Sequence, residues 1–232
     1  MILQALKEYY DRKAADSDSD IAPEGFEKKG IPFIIVIDRE GKFINLEDTR
    51  EMSGKKATPK TFLVPRSQKR GGSRSYETTF LLWDHIGYLC AHPESDEKAQ
   101  KQHQSWLSSL QALPPILEGS SAVQAIISFY EKGGLEKLKE HPLWEECTKV
   151  LSCNMTFRLA GEELPVPCGP EVREFVSGSI ASNAIPDRAE KSETIFGRCL
   201  VSGEISEIAR IHQETRIGKD AKSLVSFQKN SG

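Results

Sequence analysis

Ile2, Leu3, Leu6, Tyr9 and Tyr10 recur at helical spacing, so the chain opens on an amphipathic helix that gives way to an acidic, serine-rich loop at residues 16–20. The period then changes. Residues 32–37 form a β-branched and aromatic run, 38–41 supply turn chemistry and 42–46 resume an extended pattern, which together predict a β-hairpin. Residues 61–64 read as a further strand ended by Pro65. A helix is expected over 80–91, and Ser95 opens another whose acidic first turn suits the N-terminal dipole and which runs to about Leu113, before Pro114 and Pro115. Further helices are expected over 121–132, ended by Gly133 and Gly134, and over 135–149, with a break near Pro142. A second hairpin over 149–159 and 163–166, turning at Ala160-Gly161, leads into a helix over 171–182. Closing strands fall at 199–201, 208–211 and 224–227. Strands, a helical middle and strands again define an α+β class rather than alternating βαβ units.

The 232 residues, 38% of them hydrophobic, suffice for one large domain or two small ones. No apolar stretch spans a membrane, and Gln4, Lys7 and Glu8 interrupt the N-terminal apolar run where a secretory signal needs it unbroken. The chain is expected to be cytoplasmic. Five scattered cysteines, Cys90, Cys147, Cys153, Cys168 and Cys199, suit a reducing compartment rather than a disulfide framework.

Charge is where the sequence becomes specific. Against a formal net charge of -3, residues 54–75 hold Lys55, Lys56, Lys60, Arg66, Lys69, Arg70 and Arg74 without one carboxylate. Beyond Pro65 this segment reads as an exposed loop around Gly71 and Gly72, with Ser73 and Ser75 close by. Such a loop can lay its backbone against phosphates or into a groove. Tyr76, beside it, can stack on a base or sugar. Charge alone equally allows a solvated loop with no ligand.

Catalytic signatures point elsewhere. Gly25 and Gly30 have P-loop spacing, but Ile31 and Pro32 follow where a lysine and a hydroxyl are required. The carboxylate pairs Glu145-Glu146 and Glu162-Glu163 are adjacent in sequence and do not converge on one atom. Cys199 and His212 supply at most two of the four ligands of a structural zinc site, so no metal and no cofactor is expected. His85 is either a packing residue or, in a ribonuclease reading, a general base toward a ribose hydroxyl.

The basic loop followed by Phe80, Leu81, Trp83, Asp84 and Tyr88 resembles the large subunit of the type I-C CRISPR Cascade complex, the Csd-type family. The opening 48 residues and the blocks at 198–212 and 223–228 resemble it in the same order. The family's proteins are longer, so the resemblance makes residues 1–232 an N-terminal nucleic-acid-binding region: mixed α/β over 1–80, mostly helical over 81–148 and mixed again over 149–232. It implies a non-catalytic subunit of an RNA-guided antiviral complex that inspects target double-stranded DNA for the protospacer-adjacent motif and helps to open it. Its partners would be that DNA, the guide RNA 5′ handle, the other Cascade subunits and a recruited helicase-nuclease. The motif would be met by Gln68, Lys69, Arg70, Gly71, Gly72, Ser73, Arg74, Ser75 and Tyr76, while Lys55, Lys56, Lys60 and Arg66 hold phosphates with Lys69, Arg70 and Arg74. Two other classes stay open: a structural subunit that only docks partner proteins, and a guide-processing ribonuclease.

Overall fold

Helix α1 (Ile2–Ala15) forms where the helical spacing places it. The computed structural model describes residues 2–15, 21–53, 56–181, 196–198, 203, 205–207, 214–217 and 220–223. The chain forms two units, one of Met1–Arg12 with Ile185–Gly232 and the other Lys13–Ala184.

The larger unit begins with six strands, β1 (Phe26–Gly30), β2 (Phe33–Ile37), β3 (Phe43–Asp48), β4 (Arg50–Ser53), β5 (Lys56–Pro59) and β6 (Thr61–Pro65). After a loop come β7 (Trp83–His85), α2 (Ile86–Cys90), α3 (Glu97–Gln111), α4 (Pro115–Glu118), α5 (Ser121–Glu131), α6 (Gly134–Lys139), α7 (Trp144–Lys149), β8 (Asn154–Leu159) and α8 (Pro170–Ala181). The central sheet has the order β3-β2-β8-β7, with β2 and β8 parallel and the outer pairs antiparallel. Strands β1 and β6 make a separate antiparallel ribbon, and β4 with β5 another.

All five residues of β2 are buried, as expected of a central strand covered on both faces. Phe33, Ile35 and Ile37 join Met155, Phe157, Trp106 and Phe129 in the main core beneath the helices. Ile34 and Val36 point the other way, into a smaller cluster with Phe62, Val64, Trp83 and Cys168. The β1–β6 ribbon is thus the lid of a second, thinner layer, and the basic loop leaves from its end.

The hairpin β2–β3 docks on α5 at its turn. Gly41 has φ +80°, and a Cβ there would lie 2.5 Å from the Ala125 carbonyl oxygen and 2.6 Å from Ser128 Cβ. Gly41→Ala is therefore expected to destabilise the fold by about 1–3 kcal/mol, read as a lower denaturation midpoint.

Two expectations are corrected. Residues 80–91 are not one helix: Leu82 has φ 61°, the chain runs as β7 beside β8, and only α2 is helical. The second hairpin is absent too, because β8 pairs with β2 and β7, and residues 166–168 form a 3-10 turn between Pro165 and Gly169. The smaller unit contributes the pairs β9 (Phe196–Arg198) with β10 (Ile205–Glu207) and β11 (Glu214–Ile217) with β12 (Asp220–Ser223). The strands expected at 199–201, 208–211 and 224–227, and the loop at 16–20, lie outside the described residues. The α+β class holds, with strands first, helices in the middle and strands again. Cys90, Cys147, Cys153 and Cys168 are buried free thiols, and no described helix is long and apolar enough to cross a membrane.

Candidate nucleic-acid interface

The loop starts on fixed ground. The Pro65 carbonyl accepts from the Trp83 indole N–H (2.9 Å), the Arg66 N–H donates to the Gly25 carbonyl (2.8 Å), and the Ser67 N–H donates to Glu27 Oε1 (2.7 Å). Gln68 and Lys69 are exposed. Arg70 then turns inward. Its Nε donates to the Thr78 carbonyl at 2.8 Å and its Nη2 to the fully buried Asp84 carboxylate. The guanidinium carbon lies 3.7 Å from the centroid of the Phe80 ring and 4.0 Å from that of Tyr88, a double cation–π contact. Asp84 also accepts from the Phe80 N–H (3.0 Å) and from that of its neighbour His85 (2.8 Å). The Tyr88 hydroxyl donates to the Ser75 carbonyl at 3.1 Å.

These contacts pin both ends of a short excursion. Gly71, Gly72, Ser73 and Arg74 form its exposed tip, followed by a 3-10 turn at Ser75–Glu77 in which Ser75 and Tyr76 are half-buried. Gly72 has φ +74°, the left-handed geometry that favours glycine, whereas a Cβ on either Gly71 or Gly72 meets no atom within 4 Å. The backbone at the tip therefore faces open space. Arg74 forms a two-pronged pair with Glu77 (2.8 and 2.7 Å) on the exposed surface, where such pairs are weak and readily exchanged.

Burial dominates the electrostatics beneath the tip. Loss of solvent raises the Asp84 carboxyl above its ordinary value, against the lowering influence of Arg70. Burial also drives His85 down to about 4, helped by the nearby Arg70 charge. His85 Nδ1 accepts the Gly87 N–H at 3.1 Å, so this imidazole is the N-cap of α2 and sits edge-on to Tyr88 with centroids 4.9 Å apart. Among the described residues no three His, Cys, Asp or Glu side chains gather where a metal ion would be held. Cys199 and His212 lie outside them.

The structure brings residues 68–76 together and sets the other cations apart. Lys60 and Arg66 flank the two ends of β6, Lys56 belongs to β5, and Lys55 lies outside the described residues. Sequence reasoning groups Arg70 with its neighbours and misses Asp84, Phe80 and Tyr88 as its holders. One signal for them exists: Asp84 interrupts the apolar run from Phe80 to Trp83, and a carboxylate in such a run needs a cationic partner.

The scaffold is α+β, and it holds an exposed Gly-Gly tip between cationic residues. The family model described as CRISPR-associated protein (Cas_Csd1) matches residues 6–232, and the chain belongs to this family. It is thus a CRISPR-associated protein of the type I-C Cascade system, at work in antiviral defence within that complex. No curated protein matches the chain.

Proposed function

We propose that this chain reads the protospacer-adjacent motif of target double-stranded DNA and helps to open the duplex, as a cytoplasmic Cascade subunit without a catalytic centre of its own. Guide pairing reads the long target, so the protein needs only a few contacts to a short flanking duplex. The observation that carries this reading is the pinned tip, where Gly71 and Gly72 present backbone to open space. Ser73 and Ser75 stand beside that backbone as donors and acceptors, Gln68 and Tyr76 border it, and Lys69 and Arg74 flank it with positive charge. Arg70 has a different task. With its guanidinium on Asp84 between two rings, it shapes the tip rather than touching phosphate. The guide RNA 5′ handle and the helicase-nuclease that cuts the opened strand complete the set of partners.

The test is electrostatic. In Cascade assembled with the chain, the Lys69→Ala, Arg74→Ala double variant is expected to weaken duplex binding and to flatten the log–log salt dependence by about 1.8, roughly 0.9 for each phosphate no longer neutralised. An unchanged slope with intact assembly would instead favour a docking subunit that leaves DNA to its neighbours.

A further inference from the structure

Charge on this scaffold is often matched. Arg50 pairs with Asp48 (2.6 Å) and Glu146 (2.8 Å), Arg158 with Glu47, Arg70 with Asp84 and Arg74 with Glu77. The β1–β6 ribbon departs from this. Its register sets Lys29 opposite Phe62, and Lys60 stands two residues before Phe62, on the same side of the ribbon. The Lys29 ammonium lies 5.4 Å from the Trp83 ring centroid and that of Lys60 lies 5.6 Å from that of Phe62. Neither has a carboxylate partner among the described residues.

Phe62 and Trp83 belong to one buried cluster, so the two aliphatic stems cover a single apolar rim while their ammonium groups stay uncompensated. The carboxylate of β1, Glu27, is engaged with the Ser67 N–H at the start of the loop. Strand geometry separates Lys29 from Lys60 by about 8 Å, and Lys60 from Arg66 by about 20 Å. That second span corresponds to about six base-pair steps of a duplex.

We infer that the rim where the β1–β6 ribbon closes over this cluster is a second contact surface for the target duplex, with Lys29 and Lys60 holding backbone phosphates in line with the tip of the basic loop. The inference rests on the DNA reading proposed above and adds Lys29, thirty or more residues away in sequence, to the interface. Cations already neutralised by carboxylates must break those pairs before they engage phosphate. Lys29 and Lys60 need not, and their stems are already ordered against the rings.

The experiment replaces both by methionine, which keeps the apolar stem over the rings and removes the charge. Cascade assembled with Lys29→Met, Lys60→Met is titrated with labelled mixed-sequence duplex over a salt series. The log–log slope is expected to fall by about 1.8, equally for duplexes with and without the preferred flanking motif, because phosphates carry no sequence information. Lys29→Met alone, expected to lower the slope by about 0.9, serves if the double variant melts early. A flattened slope in the Lys69→Ala, Arg74→Ala variant beside an unaltered one in the lysine variants would overturn the ribbon and leave the loop standing. Unaltered slopes in both would remove the DNA reading and the ribbon with it. Parental slopes with weakened assembly would mark the ribbon as a protein-docking face and equally overturn the inference.

Discussion

Arg70→Ala is expected to cost about 3 kcal/mol of folding stability, because it leaves the fully buried Asp84 carboxylate without its cation. For a protein of this size that lowers the melting temperature by on the order of 10 °C. The sign of the pH dependence identifies the cause. Asp84 is raised above its ordinary value in the folded state, so between those two values the folded chain keeps a proton that the unfolded chain has lost. This contribution favours the fold at low pH and is lost as pH rises through the folded value. Removing Arg70 deletes the influences that lower Asp84 and moves that loss to higher pH. The deficit of the variant against the parent is therefore largest at neutral pH and shrinks on acidification. Adding Asp84→Asn to Arg70→Ala should recover about 1–2 kcal/mol, since an amide is less costly to bury than a charge. Denaturation at two pH values checks both expectations. A deficit independent of pH would mean that the missing packing against Phe80 and Tyr88, rather than a stranded charge, is responsible.

The second large effect separates recognition from stability. At Gly71 a Cβ meets nothing within 4 Å and the backbone needs no left-handed geometry, so Gly71→Leu should fold like the parent. It nevertheless blocks close approach of the main chain to a base edge, an interaction worth about 1–3 kcal/mol of discrimination. Selection from a pool of duplexes with randomised flanks should then enrich the preferred motif roughly 10- to 100-fold less than the parent does. Gly72→Leu is the control. Its φ of +74° makes that variant unstable as well as less selective. Parental enrichment by Gly71→Leu would place the motif reader outside the loop.

Local signals in the sequence reach far into this structure, and their failures have one origin. The hairpin β2–β3, strand β6, and helices α3, α5 and α8 follow from apolar period, turn residues and breakers, all of which act within a few positions. Strand β7 does not, because Phe80, Leu81, Leu82 and Trp83 form an unbroken apolar run with neither helical nor strand period. What settles its state is pairing with β8, some seventy residues away. Strand β8 is legible as a strand, while its parallel pairing with β2 is not, since no local turn joins them. At the candidate interface the cations and glycines are visible as composition. The division of labour among them is not, because Arg70 is distinguished from Lys69 and Arg74 only by where Asp84, Phe80 and Tyr88 lie.

The frame beneath the loop grips its excursion through main-chain atoms. Arg70 reaches the Thr78 carbonyl and Tyr88 the Ser75 carbonyl, groups that every amino acid supplies. Apart from the geometry of Gly72, the shape of the tip is thus indifferent to which side chains it carries. Ser73 and Arg74 can be exchanged without dismantling the scaffold, which under the proposed function makes the loop a replaceable reading head. On that proposal, diversification toward new flanking sequences, by evolution or by directed libraries, has its least disruptive route through those positions, with Arg70, Asp84 and Tyr88 left unchanged.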